Sequence, residues 1–141
     1  MAARCATLEE FLAFAPEFRT AGSTSRLKIT ANAGTVGDRL ILESAQYPNV
    51  KIEWTAVAAS PVLGTEYLAG TASETASSLA ASINAQGQYM TATASDSSIY
   101  LESIQTGVDG LHVLTAKPGA AFQFPNATDT QALEGGAELI E

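Results

Sequence analysis

The chain contains a single cysteine, Cys5, and a single histidine, His112, in 141 residues. One cysteine excludes an intrachain disulfide and a cysteine metal cluster. One histidine leaves nucleophilic catalysis short of bases, because an activated Ser or Cys needs an oriented partner within hydrogen-bond reach. Charge is scarce too, at 16% of residues where about a quarter is usual. Positive charge nearly vanishes after residue 51, where Lys117 stands alone against ten acids for a balance of −9. Residues 1–51 hold six basic groups and five acids, a balance of +1. Tight nucleic-acid binding needs a basic stripe that displaces counterions, and the chain has none. Nor does any stretch approach the ~20 apolar residues of a membrane-spanning helix or the apolar core of a secretion signal. The expectation is a chain made in a reducing cytosol, with no membrane and no tight nucleic-acid partner.

What is present is small and apolar. Hydrophobic residues make up 46%, enough for one domain with a core and unlike a disordered chain. Ala, Ser, Thr and Gly fill the place of the missing charges. Interface cores are depleted in charge, so such a surface suits assembly.

Thr7 and Glu10 form a capping box for a helix over Leu8–Ala15, with Leu8, Phe11, Leu12 and Ala15 on one face. Pro16 ends it. Eight residues cannot hold a helix in water unaided, so this face, with Phe14 and Phe18, must dock somewhere. After a Gly22–Ser25 linker, Arg26–Thr30, Arg39–Ser44 and Val50–Ala56 read as strands joined by short turns, an antiparallel meander. A loop over Ala58–Gly70 leads to a second helix. Thr71 and Glu74 cap it, Ala76, Leu79, Ala80 and Ile83 form its buried stripe, and Gly87 is its left-handed stop. Gln88–Ala94 and Ser98–Ser103 flank a Ser95-Asp96-Ser97 hairpin turn. Leu111–Ala116 and Ala121–Phe124 supply further strands. The expected fold class is α+β: an antiparallel β-sandwich or curled sheet of six to seven strands with one inserted helix, a short N-terminal helix and extended termini. Residues 1–24 are read as an arm and linker, 25–125 as the core domain and 126–141 as a frayed tail.

The chemistry sought along the chain is thin. His112 alternates with Leu111 and Val113 and reads as an ordinary strand histidine; a hydrolase would have to run through it. Asp96, Glu102 and Asp109 offer oxygen ligands for calcium, without an EF-hand loop pattern. Gly34–Gly37 and Gly64–Gly70 fit no phosphate-binding spacing. Trp54, Tyr47, Tyr67, Tyr89 and Tyr100 are either core or the stacking platform of a carbohydrate-binding module. No catalytic, cofactor-binding or metal-ligating residue is expected, and the chain does not read as an enzyme.

One stretch carries a resemblance. Gly64-Thr-Glu-Tyr67, Leu79-Ala-Ala-Ser-Ile-Asn-Ala85, Met90-Thr-Ala-Thr-Ala94, Ser98–Ser103, Gly107 and Leu133-Glu-Gly-Gly136 follow one another as a strand, Gly-bearing loop, Ala-rich helix and Thr-Ala hairpin. That order resembles the repetitive structural domains of tailed-bacteriophage virions, tail-sheath and related tail and neck proteins among them. At 141 residues a full contractile sheath subunit is not expected. Leu8–Phe18 is similar to the opening of some phage head–tail connector proteins. The resemblance implies a non-enzymatic part of a ring or lattice at the head–tail neck or tail. Its partners would be copies of itself and other virion proteins (portal or connector, tail or capsid), and its place the virion assembled in the host cytoplasm. A capsid-decorating or fibre-attachment protein is the alternative in the same setting. Terminal arms of such proteins often lie on the next subunit or extend its sheet. The subunit-interface candidates are therefore Leu8, Phe11, Leu12, Phe14 and Phe18 at one terminus, and Leu133, Leu139 and Ile140 at the other.

Overall fold

A computed structural model of the chain describes residues 23–135. The expected first helix, with Leu8, Phe11, Leu12, Phe14 and Phe18, lies outside the described residues, as do Leu139 and Ile140. The described part is α+β: one α-helix and two sheets, with no closed barrel. The strands are β1 (Thr24–Ala31), β2 (Arg39–Glu43), β3 (Lys51–Val57), β4 (Glu66–Leu68), β5 (Met90–Ser95), β6 (Ser98–Thr106), β7 (Val113–Lys117), β8 (Phe122–Gln123) and β9 (Thr130–Ala132). Helix α1 (Ala72–Gln86) stands between β4 and β5. One sheet has the order β5-β6-β1-β8 and the other β4-β3-β2-β7-β9. Every pairing is antiparallel except β3 with β4.

The expected meander is only partly formed. β2 and β3 make a hairpin, with Leu40 opposite Trp54. β1 does not pair with β2; it lies in the other sheet, between β6 and β8. The connection Asn32–Asp38 is longer than the two-residue turns that fold neighbouring strands together. It is also committed elsewhere, since Gly34 donates its N–H to the Gly70 carbonyl at 2.8 Å, beside the start of α1. The short β4 and β9, three residues each, add to the strands expected from alternation.

Helix α1 forms as its sequence dictates. Thr71 and Glu74 complete both halves of the capping box, and Gly87 ends the helix at φ 66°, a conformation that costs glycine nothing. Its serines are ties as well as fillers. Ser78 Oγ accepts the Leu68 N–H at 2.7 Å and Ser82 Oγ accepts the Gly64 N–H at 2.9 Å, along the outer edge of β4. Asn84 brackets Ala92 on the outer edge of β5, donating to its carbonyl and accepting its N–H, both at 2.8 Å. The helix thus covers one edge of each sheet, where unpaired backbone would otherwise invite another strand. Ala76, Leu79 and Ile83 face the core with Ile29, Leu42, Trp54, Tyr67, Leu101 and Phe122 from both sheets.

The segment after Asn126 is not a frayed tail as far as Gly135. The Asn126 side chain donates to the Thr130 carbonyl, and its N–H donates to Gln131 Oε1, each at 2.9 Å, closing a polar turn. β9 then pairs with β7. Leu133 is 1% exposed and belongs to the core of its own chain, which corrects its reading as a subunit-interface residue. Alternation fails to disclose this because a strand of three residues carries barely more than one period. Glu134 then crosses to the other sheet, exchanging two main-chain hydrogen bonds with Arg26 at 2.7 and 2.9 Å.

Candidate functional site

His112 sits just before β7 and is fully buried, while Leu111 and Val113 on either side are half-buried. Its Nδ1 accepts the Ala45 N–H at 3.0 Å. The ring proton is therefore on Nε2, which donates to Gln105 Oε1 at 2.8 Å. Gln105 in turn donates to the Gln88 carbonyl at 3.1 Å. The Tyr89 ring meets the imidazole edge-on, with centroids 5.2 Å apart. Gly110 makes room for this arrangement, since a Cβ there would stand 2.5 Å from the Gln105 carbonyl oxygen and Ser103 Oγ. Burial pushes the imidazole below its ordinary pKa, against the pull of Asp109 and the Tyr89 main chain. Both ring nitrogens are thus spent on tying the β2–β3 turn to the end of β6.

The other candidates are scattered. Asp96 is in the β5–β6 turn, Glu102 on the outer face of β6 and Asp109 in the 3-10 turn Gly107–Gly110. Among the described residues no group of three or more His, Cys, Asp or Glu side chains is placed to hold a metal. Trp54, Tyr67 and Tyr89 are core residues, so they do not form the aromatic platform considered above. Tyr47 and Tyr100 are half exposed, on the β2–β3 turn and on the outer face of the four-stranded sheet. Burial, helped by Asp38, raises the Tyr67 phenol well above its ordinary value, so it stays neutral.

Two surfaces stand out. The first is an open depression of about 450 Å³ on the outer face of the four-stranded sheet, lined by Arg26, Lys28, Thr91, Thr93, Tyr100 and Glu102. The register sets Arg26 opposite Glu102 and Lys28 opposite Tyr100. Arg26 Nη2 lies 3.6 Å from the Glu102 carboxylate, and Lys28 Nζ lies 5.7 Å from the Tyr100 ring centroid. Nothing in the sequence pointed to this set. Each strand alternates visibly, but the four residues meet only once β1 is known to pair with β6.

The second surface is the end of the molecule formed by the start of β1, the β2–β3 turn, the end of α1 and the end of β6. Both boundaries of the described chain lie here. Ser23 accepts the Gly107 N–H through its carbonyl at 3.1 Å, and its hydroxyl donates to the Gly135 carbonyl at 3.0 Å. The first and last described residues, Ser23 and Gly135, therefore lie side by side. Three large exposed apolar side chains belong to these segments: Tyr47 on the β2–β3 turn, Ile104 near the end of β6 and Val108 just after it. Val62 and Leu63 are on the β3–β4 loop, where the Val62 carbonyl accepts the Thr65 and Glu66 N–H groups. Val36 lies at the opposite end. The Ala45 N–H to His112 and the Ile104 N–H to the Tyr89 carbonyl, each at 3.0 Å, hold the β2–β3 turn and the end of β6 in place. Comparison of the chain with protein-family models, curated proteins and solved structures finds no match in any of the three.

Proposed function

We propose that the chain is a non-enzymatic structural component of a tailed-phage virion, assembling with copies of itself as a ring or lattice at the head–tail neck or tail. The observation that carries this reading is the exposure of Tyr47, Ile104 and Val108 at the end of the body where Ser23 and Gly135 meet. Large exposed apolar groups collected in one place mark interaction surfaces. The low charge supports it as well. In this reading the two sheets act as the layers of a sandwich-like body that α1 braces. The surplus of acid beyond residue 51 suits a wall that DNA passes without sticking.

The test is the mass of the purified full chain in solution, together with negative-stain images. The expected result is a multi-subunit ring or oligomer. Deleting residues 1–20 is expected to leave the circular dichroism spectrum folded and to lower the mass to that of a smaller species. A strictly monomeric full chain that binds neither phage heads nor tails would sink the reading.

A further inference from the structure

We propose that His112 is a pH-sensitive joint beneath the apolar end of the molecule, and that a proton taken up on its Nδ1 releases the Tyr47 turn from the surface it shares with Ile104 and Val108. The joint rests on the assembly reading only for its effect between copies, where the release weakens their contact.

The imidazole sits where the segments of that surface converge. Its Nδ1 accepts the Ala45 N–H, two residues before Tyr47, and its Nε2 donates to Gln105 Oε1, one residue after Ile104. The ring is anchored in the body. The His112 carbonyl accepts the Leu133 N–H at 2.9 Å, and the Tyr89 ring stands edge-on to the imidazole. The turn on its other side is lightly built. Ser44 Oγ accepts the Gln46 and Tyr47 N–H groups, both at 3.1 Å, and Ala45, Tyr47, Pro48 and Asn49 are exposed. Should ring and turn conflict, the turn yields, because its main-chain groups can turn to water.

Protonation creates that conflict on one side alone. An imidazolium has two N–H donors, so Nδ1 then aims its new proton at the Ala45 N–H, donor against donor. Nε2 keeps its bond to Gln105, strengthened by the charge. One arm of the joint opens and the other stays shut. The end of β6 holds its place, since the Ile104 N–H remains on the Tyr89 carbonyl.

The groups around the ring set the pH of release. Burial opposes the charge above all, while Asp109 on the 3-10 turn and the Tyr89 main chain favour it. The β2–β3 turn and the end of β6 present the Ala45 main chain and the Gln105 amide, neither of them charged. Charged groups of the adjoining strands are turned outward. Glu43 lies 3.8 Å from Lys51 on the outer face of the five-stranded sheet, and Glu134 lines the depression with Arg26. Release is therefore expected below the ordinary 6.5.

Hydrogen exchange of the full chain, read by mass spectrometry and corrected for the intrinsic effect of pH, tests the joint. From about pH 8 to about pH 5, residues 44–50 are expected to lose protection while β7 and the end of β6 keep theirs. In His112→Gln the protection of residues 44–50 is expected to be the same at both ends of the range. Unchanged protection in the wild type, or an equal loss in the variant, overturns the joint. His112 is the single histidine, so labelling its ring nitrogens for NMR gives a second measurement that needs no variant. The neutral ring is expected to carry its proton on Nε2 and to titrate below 6.5. A neutral ring protonated on Nδ1, or a midpoint at or above that value, overturns the joint. The dissociation constant of the assembled chain is expected to rise by up to about tenfold per pH unit below the midpoint for each proton taken up. An assembly whose mass holds throughout that range overturns the control of contact between copies. A chain that is monomeric at every pH sinks the assembly reading instead, and exchange alone then decides the joint.

Discussion

On one flank of the molecule α1 spans the edges of both sheets and holds them with side chains: Ser78 and Ser82 on the β4 side, Asn84 on the β5 side. On the other flank the sheets are joined through main chain and one imidazole. Glu134 crosses from β9 to Arg26, and His112 links Ala45 to Gln105. The helical flank is assembled from the consecutive stretch 64–92. The terminal flank gathers residues from both ends of the described chain and from its middle. Local ties close small loops and form early, while distant ones wait for the chain to collapse around them. The terminal flank also holds Ser23 and Gly135, so the region of longest-range contacts adjoins the surface we assign to assembly.

Three substitutions probe the contrast. The largest effect is expected from Leu133→Ala, which opens a cavity where the terminal flank meets the core and should cost about 2–5 kcal/mol. Urea unfolding measures it; a loss below about 1 kcal/mol would mean that β9 is a loosely attached strap. Asn84→Ala on the helical flank strips both partners from Ala92 and should cost about 1–3 kcal/mol. Because that edge is then open, the variant should also associate at lower protein concentration, which light scattering detects.

The smallest effect is one of pH and belongs to His112. Burial above all holds its folded imidazole neutral below the ordinary 6.5, while in the unfolded chain the ring takes up a proton near that value. The unfolded state then binds more protons, so stability is complete above about pH 6.5 and is lost as pH falls through it. Thermal melts between about pH 8 and pH 5 should show the decline, and His112→Gln should flatten it. A wild-type profile identical to that of the variant would mean that the imidazole does not titrate differently in the two states.

What could be read from residues alone follows the same division. The α1 caps, its stripe and the Gly87 stop lie within 17 residues (Thr71–Gly87) and act on near neighbours, so pattern sufficed. The β2–β3 and β5–β6 hairpins were equally local. The partner of β1 was not, because alternation in Leu27, Ile29 and Ala31 declares a buried face without naming the strand beside it. Trp54 did carry a usable signal, sharing its inward alternation with Ile52 and Ala56, and so pointed to the core rather than to a platform. The outer-face depression and the apolar end were illegible for a different reason. Each is a juxtaposition of loops and strands far apart in the chain, and no spacing along it records their meeting.

The bracket of Asn84 around Ala92 carries one more consequence. An amide already occupies both outward main-chain groups of Ala92, so an added strand would have to displace Asn84 to pair at the middle of that rim.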